Sequence, residues 1–275
     1  PAETFDSTSL TPVLNHVFAA EGTFTVTVTV DDNAGEANSV ETDTFEVTVV
    51  NANPIAVNDN VTVDEDGPNA SGTVLTNDSD PGNDPLVVSA VNGEALDVGQ
   101  QITLTSGALF TLNADGSFDY DPNGQFENLP EGVFDNDQVT YEVSDGQGGT
   151  DTATLFVSVR GSNDDPDAVD DAFNANDDTP ISGNVLDDNG SGPDADIDDP
   201  TTLTVTEVNG TAGDVGTEIT LASGALLTLN GDGTFDYAPN NALNGGGLDS
   251  YDYTISDGAG GTDTATVNIT INGTN

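Results

Sequence analysis

The stretch SDGQGGTDTAT at residues 144–154 returns as SDGAGGTDTAT at 256–266, with one substitution and a shift of 112 residues. The same shift relates PIAVNDN at 54–60 to PDAVDDA at 166–172. Between these anchors the shift grows to 117: VNG at 91–93 becomes VNG at 208–210, SGAL at 106–109 becomes SGAL at 223–226, and DGSFDY at 115–120 becomes DGTFDY at 232–237. The second copy therefore carries a longer early loop, DDNGSGPDADIDDP at 187–200 against NDSDPGNDP at 77–85, and a shorter late one. A fixed order of motifs at a domain-sized period marks two homologous units, 54–165 and 166–275.

Within each unit the hydrophobic signal has period two. Ala153, Leu155, Val157 and Val159 fall on one face of a strand, as do Ala265, Val267, Ile269 and Ile271. Short strands separated by Gly, Asn, Asp and Pro clusters recur with no helical window, so the expected class is all-β, each unit a seven-stranded antiparallel sandwich. A lone helical turn is expected within 122–136. Residues 1–53 differ: EGTFTVTVTVDDNAG at 21–35 alternates cleanly, and Thr44 to Val49 supplies another strand. Two or three strands do not close a sandwich, so 1–53 is expected to be a partial domain, truncated or completed by strands of another chain. The start reads as the middle of a longer protein.

Composition narrows the function. Against 50 acidic residues stands one basic residue, Arg160, for a formal charge of −49. Nucleic acid and anionic membrane surfaces are excluded as partners, because both require clustered Lys/Arg. No Cys or Lys is present, which removes disulfides, thiolate chemistry, Cys-ligated zinc and Lys-derived covalent links. No stretch approaches the ~18 apolar residues of a membrane span. The single histidine, His16, has no GxSxG-type elbow to serve, and carboxylate pairs at glycosidase spacing arise by chance among so many acids, so the chain is expected not to be an enzyme. Of the acids 38 are Asp and 12 Glu, and an Asp excess points to loops, where the short carboxylate caps turns and binds hard cations.

NDDPDAVDD at 163–171, VLTND at 74–78, VLDDN at 185–189, the DG-S/T-FDY hairpins and the SDGxGGTDTAT pair together resemble the cadherin-like, VCBS-type tandem domains of large bacterial surface adhesins, including those of the RTX class. HVF at 16–18, EGTF at 21–24 and VTVDDNAG at 28–35 are similar to the C-terminal half of a PKD domain. The resemblance implies tandem immunoglobulin-like, cadherin-like sandwiches in a linear array, stiffened by calcium and exported to the cell surface. The partners implied are neighbouring repeats of the same protein and a cell-surface or glycan receptor.

In such a sandwich the loop after the second strand and the loop between the last two strands lie where the chain enters. That brings Asp78, Asp80 and Asp84 toward Asn58 and Asp59 in the first repeat. In the second it brings Asp188, Asp194, Asp196, Asp198 and Asp199 toward Asp164, Asp165, Asp170 and Asp171. Asp64, Glu65 and Asp66, after the first strand, should face the other end and join the second junction. This is similar to the layout by which cadherin-like linkers capture calcium. Clustered carboxylates raise one another's pKa and repel unless a cation neutralises them, so the expected cofactor is Ca2+. DADIDD at 194–199 is not an EF-hand loop, since Asp199 replaces the required Gly and Val205 the bidentate Glu. GGTD occurs once per repeat, which does not make a calcium β-roll. Two further readings stand beside the calcium-stiffened stalk: a filament subunit assembled by homotypic strand addition through 1–53, and a polysaccharide-binding accessory module. The five tyrosines, Tyr120, Tyr141, Tyr237, Tyr251 and Tyr253, recur at strand positions and are expected in the core rather than on a glycan platform.

Overall fold

A computed structural model describes residues 18, 21–31, 40–198, 203–240, 243 and 245–273. The expectations for His16 and Asp199 fall outside them. Strands β1 (Gly22–Asp31) and β2 (Val40–Val49) form a two-stranded antiparallel ladder running from Gly22 opposite Val49 to Asp31 opposite Val40. Phe24 and Val26 are half-buried, and the Phe18 ring packs tilted against Phe24 with centroids 4.8 Å apart, whereas Phe45 and Val28 stay exposed.

The first repeat comprises β3 (Asp59–Asp64), β4 (Ala70–Thr73), β5 (Val87–Val91), β6 (Gln101–Thr103), β7 (Leu109–Leu112), β8 (Ser117–Asp121), β9 (Phe134–Ser144) and β10 (Thr150–Arg160). The second repeats the series as β11 (Asp171–Asn176), β12 (Ile181–Asn184), β13 (Thr204–Val208), β14 (Ile219–Thr220), β15 (Leu226–Leu229), β16 (Thr234–Ala238), β17 (Gly246–Ser256) and β18 (Thr262–Asn272). Each set makes two four-stranded sheets, ordered β3-β10-β9-β5 and β4-β8-β7-β6, then β11-β18-β17-β13 and β12-β16-β15-β14. The all-β sandwich expectation holds with two differences. There are eight strands per repeat, and the first strand joins the last in parallel, Val61 opposite Val157 and Phe173 opposite Ile269. The parallel edge arises because each repeat enters at one end of the sandwich and its last strand runs in the same direction toward the exit. The helical turn expected within 122–136 is absent; 122–133 is turns and irregular chain, β9 begins at Phe134, and the described 3-10 turns lie at Val74–Thr76, Ala95–Asp97 and Ala212–Asp214.

The period-two residues do what their spacing demands. Ala153, Leu155, Val157 and Val159 are all buried, as are Ala265, Val267, Ile269 and Ile271. Each repeat closes on its own hydrophobic core, and each large aliphatic side chain buried there contributes about 1.5–3 kcal/mol of transfer free energy. Asn92-Gly93 and Asn209-Gly210 both adopt positive φ (48° and 85°, 49° and 74°), the backbone of a two-residue I′ turn that favours Asn-Gly.

All five tyrosines are buried, and four of them donate their hydroxyls to acidic side chains, Tyr120 and Tyr237 doing so between the two sheets of their repeats. Tyr120 on β8 donates 2.8 Å to Asp137 Oδ2 on β9 in the opposite sheet, and Ser106 Oγ donates to the same oxygen at 2.6 Å. Tyr237 and Ser223 repeat this on Asp249, each at 2.6 Å. Tyr141 donates to Asp59 at 2.7 Å, and Tyr253 to Asp194 at 3.0 Å. The tyrosines that a glycan platform would need are thus committed to the core. Removing the shared acceptor strands two hydroxyls, which costs about 1–3 kcal/mol. Asp137→Ala should therefore lower the unfolding free energy by about that amount in denaturant titration, and Asp249→Ala likewise; an unchanged midpoint would show that the ties do not stabilise the sandwich.

Candidate metal centre

The repeated SDGxGG loop anchors the leading end of each sandwich. Asp145 Oδ1 accepts the Gln147 and Gly149 amides at 2.7 and 3.0 Å, and its Oδ2 accepts Asn51 Nδ2 at 2.7 Å. Asp257 accepts the Ala259, Gly260 and Gly261 amides at 2.8–3.0 Å, with Asn163 Nδ2 2.7 Å away on Oδ2. The Asn51 amide, together with the backbone N–H groups, holds Asp145 below the usual carboxylate range. Asp257 is also held low, the Asn163 amide and the backbone N–H groups outweighing the upward push of its burial. A Cβ at Gly149 would strike Asp145 and the linker around Asn51 and Asn53, and one at Gly261 would strike Asp257, Asp165 and Pro166, so the last glycine of the motif is required by close approach. The loop thereby fastens the linker to the sandwich.

At the junction between the repeats carboxylates converge. Glu65 directly follows β3, its N–H donating to Arg160 O at 3.0 Å, and Oε1 accepts the Ser162 amide of the linker at 2.6 Å. The Asp164 amide donates 2.8 Å to Asp198 Oδ2 from the long early loop of the second repeat. Glu65, Asp164 and Asp198 place one oxygen each within 4.8 Å of one another, and Asp66, Glu127 and Asp164 do the same. Among the described residues these are the two acidic groups so tightly drawn together. Glu65 is only 5% exposed, yet its Oε2 has no hydrogen-bond partner; Asp164 Oδ2 and Asp198 Oδ1 are likewise buried without one. Burial, reinforced by Asp164, Asp198 and Asp66, pushes Glu65 up to about 7. Asp164 is raised by burial first and then by Asp198, Asp66, Glu127 and Asp196. The protein's one guanidinium, Arg160, sits 3.5 Å from Asp64. Orphaned, buried, negatively charged oxygens with no ammonium available fit a hard cation that takes oxygen ligands.

The other expected ligands lie elsewhere. Asn58 and Asp170 accept the Thr154 and Thr266 amides at 2.9 and 2.8 Å. Asp78 and Asp194 accept the Val57 and Val169 amides, both at 2.7 Å, while Asp59 and Asp194 take the tyrosine hydroxyls and Asp171 accepts Asn189 at 2.9 Å. These residues are drawn into the body of each repeat. Burial raises Asp59, Asp78 and Asp194, and pushes Asp171 up to about 6. Asp188 accepts the Gly190 and Gly192 amides within its loop. Asp196, 5% exposed, accepts the Asp198 amide at 2.8 Å, and Asp165 is exposed beside Gly261. At the first junction Asp80 Oδ1 accepts the Asp84 amide at 3.1 Å, and Glu21 is raised by burial and then by Asp84, Asp145 and Asp80. Glu127 was not foreseen. Its signal was the loop between β8 and β9, which packs its Leu129 and Pro130 carbonyls close over Gly161 in the linker.

A family model described as "Bacterial cadherin-like domain" matches residues 51–161 and 163–273, and one described as "PKD domain" matches 6–49. No curated protein matches the sequence. Among solved structures, Drosophila N-cadherin EC1-4 is similar at 12% identity and TM-score 0.50, covering 92% of this chain and 58% of that one. Protocadherin gamma C5 EC1-3 is similar at 13% identity and TM-score 0.49, over 92% and 78%. An endo-fucoidan hydrolase of glycoside hydrolase family 107 matches at 12% identity and TM-score 0.29, over 93% and 34%. The chain spans just over half of the N-cadherin structure, and at these identities the likeness concerns the fold.

A carboxyl group raised in the folded state stabilises the fold below its unfolded pKa, and that stability is lost as pH rises through the folded value. Glu65 and Asp171 place this window between about pH 4 and 7. The groups held low, such as Asp145 and Asp257, act only at more acidic pH. The metal-free chain should therefore lose thermal stability from pH 5 to pH 8, and Glu65→Gln should make the decline shallower. A melting temperature flat or rising over that range would contradict the charge crowding at the junction.

Proposed function

The chain belongs to the bacterial cadherin-like domain family, and on that premise we propose that it is a calcium-stiffened stalk segment of an extracellular repetitive adhesin, its units lying at 1–53, 54–165 and 166–275. Domains of this kind are typically extracellular and non-catalytic, and no described helix is long and apolar enough to cross a membrane. The observation that carries the reading is the Glu65 carboxylate, buried with one oxygen orphaned where two repeats meet.

Calcium takes six to eight oxygens at 2.3–2.6 Å and tolerates irregular geometry, whereas magnesium demands a near-ideal octahedron and gives up its water reluctantly. Glu65, Asp66 and Glu127 from the trailing end of the first repeat, Asp164 from the linker and Asp198 from the second repeat would hold the ion. Bound there, it supplies the positive charge that the sequence withholds. Ligands drawn from both repeats and the linker fix their relative orientation only when the ion is present. Without it the same carboxylates repel, and the joint loosens.

Extracellular calcium modules bind at about 10⁻⁴–10⁻³ M. About 10 mM calcium should raise the unfolding temperature of the chelator-treated chain by on the order of 10 °C through ligand linkage. Scanning calorimetry at matched ionic strength checks this; no shift beyond that of sodium would leave the Asp excess as a salt-adapted surface.

A further inference from the structure

Two buried polar atoms without a partner lie inside the second repeat, away from either joint. Asp171 and Tyr251 are each 2% exposed, and neither Asp171 Oδ2 nor the Tyr251 hydroxyl has a hydrogen-bond partner. Among the described residues no other buried hydroxyl is left in that state. Strand register puts the two in one row of the sheet. Asp171 on β11 and Tyr251 on β17 both stand opposite Val267 on β18, and all three side chains are buried in the core. The two flanking backbones are two strand spacings, about 10 Å, apart, a span that a tyrosine and an aspartate reaching toward each other nearly cover. Burial pushes the Tyr251 hydroxyl up, and the Asp171 carboxylate pushes it further.

The first repeat lacks this pair. Its matching row reads Asp59, Leu155, Val139, so a smaller side chain on the middle strand of the second repeat accompanies a larger, hydroxyl-bearing one beside it. The carboxylates are also answered differently. Tyr141 gives its hydroxyl to Asp59 at 2.7 Å, whereas its counterpart Tyr253 gives its own to Asp194 at 3.0 Å, and Asp171 keeps the Asn189 amide on Oδ1 at 2.9 Å. Asp171 is thus the acid deprived of a tyrosine, and Tyr251 is a tyrosine supplied in its row.

We infer that the second repeat holds one internal water molecule between the Tyr251 hydroxyl and Asp171 Oδ2, a site that the first repeat does not have. The two atoms do not bond each other, yet their side chains share a row walled by Val267 and by the Phe235 ring, whose centroid is 6.4 Å from that of Tyr251. A water there accepts from the hydroxyl and donates to the carboxylate, and two polar partners are the fewest that hold a buried water. The bridge fastens the edge strand β11, by which the chain enters the repeat, to the central strand β17. It does not depend on calcium.

Scanning calorimetry of the full chain carrying Tyr251→Phe tests the site by the sign of its effect. A hydroxyl without a partner costs stability, so its removal would leave the second repeat as stable or more so; a bridged hydroxyl contributes. The variant is expected to melt about 4–8 °C lower in the transition of the second repeat, the loss of about one hydrogen bond, with the transition of the first repeat as internal reference. In the unaltered chain, a nuclear Overhauser contact between a long-lived water and the Tyr251 ring is the second expected result. An unchanged or raised melting temperature would overturn the bridge. A lowered one with no water contact at Tyr251 would mean that the hydroxyl bonds Asp171 directly, and would overturn the water site.

Discussion

A carboxylate that is buried in this chain has no lysine to meet and one arginine in 275 residues, already beside Asp64. Backbone amides, side-chain amides, hydroxyls and external cations are the groups left to satisfy it. Most of the buried and half-buried acids take the first three. Asp145 and Asp257 close their own loops, Asp78 and Asp194 accept linker amides, and Asp137 and Asp249 collect a tyrosine and a serine hydroxyl. The architecture of each repeat follows from that chemistry, because every such bond fastens a loop or linker to the sandwich at a defined point. Glu65, Asp164 and Asp198 differ in being drawn within 4.8 Å of one another while each keeps one buried oxygen without a hydrogen-bond partner among the described residues, as Asp78, Asp80 and Asp171 do singly.

This cluster sits at the place where it has a mechanical consequence. Within a repeat, hydrophobic burial holds the sheets together whatever the ionic conditions. Between repeats, the contacts described here are short and polar: a Ser162 amide on Glu65, an Asp164 amide on Asp198 and an Asn163 amide on Asp257. Such bonds contribute on the order of 1 kcal/mol each and are opposed by the repulsion of the acids around them. A cation changes that balance without altering either core, which separates stiffness of the array from stability of its units.

Much of the fold was legible because repetition and period-two alternation are properties of the chain itself. Leu155, Val157, Ile269 and Ile271 point inward as their spacing requires. The parallel edge pairing of β3 with β10 was not legible, since it depends on the direction in which a repeat is entered, and no local pattern records that. The acidic pairs show the same limit at the site. DD at 170–171 and at 164–165 look identical as letters, yet Asp170 and Asp171 are claimed by Thr266 and Asn189 inside the repeat, whereas Asp164 remains at the joint. Which carboxylate a backbone amide claims is decided by tertiary packing. Glu127 escaped for a related reason: it stands alone in an irregular loop and has no acidic counterpart in the second repeat, so neither cluster nor repeat drew attention to it.

Stiffness across the joint can be read directly, and the absence of native cysteine makes the labelling clean. Spin labels on Thr62→Cys and Asn268→Cys, exposed strand positions in successive repeats, report the inter-repeat distance distribution by pulsed electron spin resonance. A narrow distribution in millimolar calcium that broadens in chelator at the same ionic strength is the expected result. Distributions of equal width in the two conditions would contradict a calcium-stiffened joint.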